Sequence, residues 1–363
     1  MKRPAKIKLK YIVIALAVCL LGFSITLLTS RIEENRYAEL QLAAAFRMQN
    51  AETYLKDVIL GLGIAIEPED LNQTALLGPE FTELTSTPGN VDAKRTSLNP
   101  NFAAAMIRYY HDAGLKPGDT IAIGTSGSFP GLLIAAVTAA TEMGLETRVI
   151  ASCGSSMHGA TRPEFCVFDF LKHLKDGGFA DFELLAVSPG GANDQGGSVL
   201  EDIIYFGTKE LSLQLCRDTG VEVLDYDDLA ENIQRRLELY GDGIGLFINV
   251  GGASPNSGAS SYTLNFPQGL VLDPPPIPTT PYRGLNYEFA ARGVPVLNLL
   301  NVRLLAQENG IAYDSVPLEA PGTGGAYTTV EYNLGIILAT IGICAAILVL
   351  GVVAFRSRHK KYE

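Results

Sequence analysis

The stretch TIAIGTSGSFPGLLIAAVTAATEMGLETRVIA, residues 120–151, decides the fold. Residues 120–124 are short and apolar and follow a Pro117-Gly118-Asp119 turn, which predicts a buried strand. Pro130 suits the first turn of a helix and Gly144 its end, so the intervening residues are expected to be helical. Residues 147–151 read as the next buried strand. Two strands joined by a helical crossover of this length make a βαβ unit, and such a crossover joins parallel strands.

The alternation continues on both sides. Upstream, Asn99 and Pro100 read as N-cap and first residue of a helix carrying Phe102, Met106, Ile107 and Tyr110 and ending near Gly114. Downstream, helices are predicted at 164–175, from a capping box at Ser198 and Glu201 toward Gly220, at 227–240, near Tyr287 and up to Gln307. Strands are predicted at 182–187, 221–224, 244–250 and 294–298. The class is therefore α/β, with about six strands in a doubly wound, largely parallel sheet covered by helices on both faces. Residues 31–60 read as a helix prolonging an apolar segment before it. Residues 67–97 read as irregular, broken by Pro68, Gly78, Pro79, Pro88, Gly89 and Asn90, and 319–329 as a flexible tether. No internal repeat is evident.

Two uncharged stretches flank this domain: YIVIALAVCLLGFSITLLT at 11–29 and LGIILATIGICAAILVLGVVAF at 334–355. Each matches the ~20 residues that cross a ~30 Å hydrocarbon core as a helix. The first is expected to be an uncleaved anchor, because its apolar core is long for a signal peptide and no A-x-A-like site follows. Lys2, Arg3, Lys6, Lys8 and Lys10 precede it, and Arg356, Arg358, Lys360 and Lys361 follow the second. Basic flanks mark the cytoplasmic side, so both termini are expected there. The expected organisation is a basic tail (1–10), a span (11–29), a helical and irregular lead-in (30–98), an extracytoplasmic α/β domain (99–318), a tether (319–333), a span (334–355) and a second basic tail (356–363).

The two tails hold nine of the 28 basic residues and one of the 39 acidic residues, leaving 19 and 38 for the rest. An acidic domain of this kind repels nucleic acid and anionic lipid surfaces, so nucleic acid is excluded as a partner, while the spans make the lipid bilayer one. Cys153, Cys166 and Cys216 lie in the domain without a CxxC spacing. They read either as a Cys153–Cys166 disulfide with one free thiol or as three buried thiols.

Four predicted strands run into loops rich in Gly and Ser: 124–131, 152–159, 188–197 and 249–258. Ligands bind outside the carboxyl ends of strands in open α/β sheets, and glycine lets the backbone approach them. The four loops are expected to converge on one pocket for carboxylate, phosphate or polar sugar groups. Its candidate ligand-binding residues are Thr125, Ser126, Gly127, Ser128, Ser155, Ser156, His158, Gly190, Asn193, Asp194, Gly251 and Gly252. Ser126 and Ser128 precede Pro130 and read either as ligand contacts or as helix caps. GTSGS lacks the last glycine of the nucleophile elbow, so Ser126 is only a weak candidate nucleophile. His158 reads foremost as an exposed loop histidine, and alternatively as a general acid or base beside Arg162 and Glu164. Asp194 reads as a turn residue or a cation ligand, and Asp225, Asp227 and Asp228 as helix-capping residues. Lys94 and Arg95 read as surface residues or as a source of positive charge for the pocket. There is no P-loop, H-E-x-x-H or paired CxxC motif, so no metal or cofactor is implied.

Five segments together resemble the bacterial poly-γ-glutamate system protein family: GPEFTELTSTPGNVDAKRTSLNP (78–100), GTSGSFPGL (124–132), ASCGSSMHGATRPEF (151–165), SPGGANDQGG (188–197) and NVGGASPNSG (249–258). The resemblance implies a component of the bacterial inner membrane encoded with the machinery that makes and exports the polymer. Its implied partners are the synthase subunits and the γ-glutamyl polymer. It transfers no catalytic residue. The first βα unit also looks like sugar isomerase-type phosphosugar-binding domains, a likeness of about fifty residues at the level of fold. The leading expectation is a non-catalytic accessory protein. The alternatives are a hydrolase or transferase using Ser126 or His158, and a scaffold for the synthase subunits.

Overall fold

A computed structural model describes residues 7–197, 208–260, 262 and 265–359, so the capping box at Ser198 and Glu201 lies outside the described residues. The chain divides into a unit formed by its two terminal segments, up to Arg36 and from Thr328, and a compact unit, Tyr37–Tyr327.

In the terminal unit, helices Leu9–Leu28 and Leu334–His359 are long and apolar enough to cross a membrane. Gly22 gives them close approach: a Cβ there would lie 2.3 Å from the Thr340 side chain. The helix at 31–60 expected to prolong the first span is interrupted. The Thr29 and Ser30 hydroxyls bond back to the Ile25 and Leu27 carbonyls at 2.7 and 2.8 Å, and the chain turns extended. Arg31–Glu34 then pairs antiparallel with Thr328–Glu331, with Ile32 opposite Val330.

The compact unit begins with helices α1 (Ala38–Gly61), α2 (Val91–Ser97) and α3 (Asn101–Asp112). Then follow β1 (Thr120–Ser126), α4 (Pro130–Met143), β2 (Glu146–Ser152), α5 (Val167–Asp176), β3 (Glu183–Ser188), α6 (Thr208–Asp218) and β4 (Glu222–Val223). It ends with α7 (Leu229–Tyr240), β5 (Ile244–Val250), β6 (Gly269–Val271), α8 (Gly284–Ala291), β7 (Val296–Leu299) and α9 (Val302–Glu308). One seven-stranded sheet runs β6-β7-β5-β1-β2-β3-β4. Every pairing is parallel except that of β6 with β7. The short edge strand β6 accounts for the excess over the six strands expected.

Strand side chains alternate between faces, and here each face has a helical cover. Ile121, Ile123 and Val149 pack with Met48 and Leu55 of α1, Phe102 of α3 and Leu133 of α4. Ala122, Ile150 and Phe247 pack with Ile233 and Leu237 of α7 and Phe289 of α8, where the Phe247 and Phe289 rings stack at 4.6 Å. Pro130 opens α4 and Gly144, at φ 72°, closes it in the left-handed region, as its sequence dictates.

Two further regions differ from expectation. The stretch at 67–97 contains α2, whose start is fixed by Asn90 Oδ1 accepting from Ala93 N at 2.9 Å, and α3 begins one residue after the expected Pro100. Asn99 Oδ1 accepts from Asn101 N at 3.0 Å, so its capping role survives the shift. The expected tether is packed as far as Tyr327. Glu319 Oε2 accepts from Asn99 Nδ2 and Ala312 N, Tyr327 Oη donates to Asn101 Oδ1 at 2.5 Å, and Ala326 is buried.

Candidate functional site

Four parallel strands, β1, β2, β5 and β7, end at one open cleft of about 760 Å³. Ser128 and Phe129 reach it after β1, Ser156 after β2, Gly252 after β5, and Asn301 and Arg303 after β7. The remaining wall comes from Asn90, Ala93 and Lys94, from residues 265–268 before β6, and from Tyr313. The chain leaves β1 toward β2, β3 and β4 but places β5 and β7 on the other side of it. Ligands bind at such reversals of strand order.

Lys94 is the central basic group. Its residue is 2% exposed, yet it lines the cleft. Its Nζ donates to the Ser128 carbonyl, lies 2.5 Å from Ser156 Oγ, and sits 3.9 Å from the Phe129 ring centroid. Burial disfavours the ammonium and lowers its pKa to about 7. The neighbouring Asp92 and Asp314 are both taken by Arg95, at 2.7 and 2.6 Å. The Arg303 guanidinium lies 3.8 Å from the Tyr313 ring centroid. Among the described residues, Lys94 and Arg303 are the only charged side chains lining the cleft, and Asn90, Asn265, Gln268 and Asn301 add amides.

The first, second and fourth Gly/Ser loops contribute as follows. Ser128, Ser156 and Gly252 line the cleft. Thr125, Ser126, Gly127, Ser155 and Gly251 lie behind them. Ser128 Oγ accepts from Ser156 N at 3.1 Å, and Ser155 Oγ donates to the Ser156 carbonyl at 2.9 Å. Thr125 Oγ1 donates to the Ser126 carbonyl at 3.2 Å, and Gly127 N donates to the Gly154 carbonyl at 3.1 Å. Gly251, at φ 89°, must be glycine: a Cβ would lie 2.6 Å from Ser126 Oγ. No side chain caps α4, so Ser126 and Ser128 are not its N-cap.

The third loop is placed elsewhere. Gly190, Asn193 and Asp194 do not line the cleft. The loop folds against the second one, with Gly154 N donating to the Pro189 carbonyl at 3.2 Å. Asn193 is exposed at φ 51°. Asp194 sits in a one-turn 3-10 helix at φ 65°, as its turn reading expects, but buried instead of at the surface. Its carboxylate is fully buried, pairs with Arg236 at 2.7 Å, and accepts from Ser152 Oγ, Ser188 Oγ and Asn232 Nδ2. That network ties α7 to β2 and β3.

His158 is a second correction. It is 7% exposed, because the turn after Ser156 forces it to φ 61° and folds it inward. Its Nδ1 is buried without a partner among the described residues. Arg162 donates to Glu67 at 3.0 Å and to the Ala75 carbonyl at 3.1 Å. Asp228 caps α7 as expected, accepting from Ala230 N at 2.6 Å, and Asp225 pairs with Lys209 at 3.0 Å. Cys153, Cys166 and Cys216 are buried free thiols, and contact with Cys166, then burial, pushes the Cys153 pKa up. The disulfide alternative therefore gives way to the thiol one.

Sequence reasoning left Lys94 undecided between surface and pocket and missed Arg303, Gln268 and Asn90. Position carried a signal for Arg303, which follows the last parallel strand. No protein-family model matches the chain, and no curated protein matches it significantly.

Proposed function

We propose that this is a membrane-anchored accessory component of bacterial poly-γ-glutamate synthesis or export, whose cleft binds carboxylates of the polymer. The carrying observation is the charge of the cleft. In a chain of net charge −11, the charged side chains lining it are Lys94 and Arg303, with no carboxylate among the described residues. A γ-linked glutamyl chain presents one carboxylate per unit, which suits the Arg303 guanidinium bordered by amides, with Lys94 adding positive charge only below about pH 7. The acidic exterior discourages binding elsewhere. The strand order reverses direction at β1, which supports a doubly wound reading and favours the same crevice.

On this reading the two apolar helices span the inner membrane, the basic tails stay in the cytoplasm, and Tyr37–Tyr327 lies in the cell envelope beside the synthase subunits. Protease added to intact spheroplasts is then expected to digest the middle unit and spare both tails.

The binding test uses the full chain in detergent and defined γ-glutamyl oligomers in titration calorimetry. Salt-sensitive binding that Arg303→Ala weakens about tenfold is expected. Binding no tighter than that of α-linked glutamyl oligomers, or unchanged in Arg303→Ala, overturns the reading. Competition by a hexose phosphate at lower concentration than the oligomer points instead to a phosphosugar site.

A further inference from the structure

Ser156 and Lys94 have a relationship that ligand binding does not require. A hydroxyl lining the cleft has an amine 2.5 Å from its oxygen, and that amine is almost fully withdrawn from solvent. The Ser128 carbonyl accepts an N–H from Nζ, which orients the amine and leaves its lone pair for the hydroxyl. We propose that Ser156 is a nucleophile and Lys94 its general base, and that the cleft cleaves or transfers amide-linked acyl groups of an anionic peptide-like chain. The chemical class of the substrate rests on the binding reading above.

The step balances as follows. Ser156 Oγ forms a bond to the acyl carbon while its proton passes to neutral Lys94 Nζ. The tetrahedral intermediate collapses, the C–N bond breaks, and the Lys94 ammonium gives its proton to the leaving amine. Water then attacks the Ser156 ester and yields a proton to Nζ, and the ester C–O bond breaks as Nζ reprotonates Oγ. The sum is amide plus water to carboxylic acid plus amine; an amine in place of the water gives transfer. Ser128 and Phe129 lead directly into the fourteen-residue α4, so the positive end of its dipole begins beside the reacting centre, where negative charge develops.

A lysine serves as base only when neutral near working pH, and burial brings Lys94 to about 7. The charged groups around it do not reverse this. Asp92 and Arg95 on its own helix are paired with each other and with Asp314, and Arg303 stacks on Tyr313 at the cleft edge. Ser126, the nucleophile suggested by sequence, faces Gly251 and accepts weakly from Ser128 N at 3.4 Å, with no base in hydrogen-bond contact among the described residues.

The test is covalent labelling of the full chain in detergent by a fluorophosphonate, with the adduct located by tandem mass spectrometry. The expected result is one adduct on Ser156, a rate that rises about tenfold from pH 6 to a plateau above pH 8, and loss of labelling in Ser156→Ala. Lys94→Arg keeps the charge but supplies no base near neutrality, and is expected to lower the rate at least a hundredfold. Thermal melting confirms that each variant is folded. If Lys94→Arg melts early, Ser156→Cys takes its place, with iodoacetamide alkylation expected to follow the same pH profile. An unlabelled folded protein, an adduct on Ser126 or Ser128, or a rate indifferent to Lys94 overturns the proposal. Oligomer binding by the unsubstituted chain is measured in parallel. Binding without labelling removes the chemistry alone, and labelling without binding removes the polymer reading alone.

Discussion

Arg236 Nη2 and Asp194 Oδ2 meet at 2.7 Å, and neither side chain reaches solvent. The carboxylate also accepts from two serines and an asparagine, so the charge is paid for in hydrogen bonds drawn from β2, β3 and α7. Removing one partner strands the other in a low-dielectric interior. Asp194→Ala is expected to cost about 3–5 kcal/mol in urea unfolding. A loss below about 1 kcal/mol contradicts the assigned role. Oligomer binding by the folded fraction should be unchanged, because the pair does not line the cleft.

Lys94 makes stability depend on pH. Its folded value of about 7 lies below the ordinary 10.5, so between those values the folded chain holds fewer protons than the unfolded chain. Stability therefore rises with pH across that window and is lowest below it. Lys94→Met removes the dependence. The variant is expected to exceed the parent by on the order of a few kcal/mol at pH 6.5 and to lose the advantage by pH 10. Melting curves at the two pH values decide this, and equal differences at both refute it.

Glu52 on α1 acts with the opposite sign. Burial, then the nearby Asp70, raises its pKa well above 4.5, and its Oε1 is buried without a partner among the described residues. Asp70 is anchored by Ala75 N at 2.7 Å and the Thr74 hydroxyl at 2.8 Å. Stability is full below the unfolded value of Glu52 and falls as pH rises through the folded one. Glu52→Gln keeps the neutral shape. It is expected to raise Tm by several degrees at pH 8 and leave it unchanged at pH 4, as read by calorimetry at both pH values.

The strand pairing of Arg31–Glu34 with Thr328–Glu331 fixes one register. Cysteines at Ile32 and Val330 are expected to form a disulfide under mild oxidation. Fragments from a cut in the middle unit should then stay joined until reduced. Cysteines at Ile32 and Thr328, two residues out of register, should not join. Equal cross-linking in both pairs contradicts the register.

The sheet was legible because its strands are short apolar runs between strong breakers: Pro117-Gly118 before β1, Gly144 before β2, Gly241 and Gly243 before β5. Such local signals survive without tertiary context. The edge strand β6 was not legible, since Gly269–Val271 has neither length nor pattern and owes its form to pairing with β7. In the site, Ser128 and Ser156 were readable as strand-end hydroxyls, but Lys94 was not readable as a cleft residue. A Lys-Arg pair on a short helix looks solvated until the packing of α2 shows one partner turned inward and the other bound to carboxylates. The burial of His158 and Asp194 was not legible for a related reason: sequence marks a loop, but not which of its side chains the loop folds over.

Glu34 stands opposite Thr328 in the ribbon, so the chain departs from the terminal helices and returns to them at a single doorway. The 291 residues of Tyr37–Tyr327 are therefore a cassette. A short linker in their place should leave a helical hairpin that still closes, and an unrelated domain with adjacent ends should graft onto the same threshold.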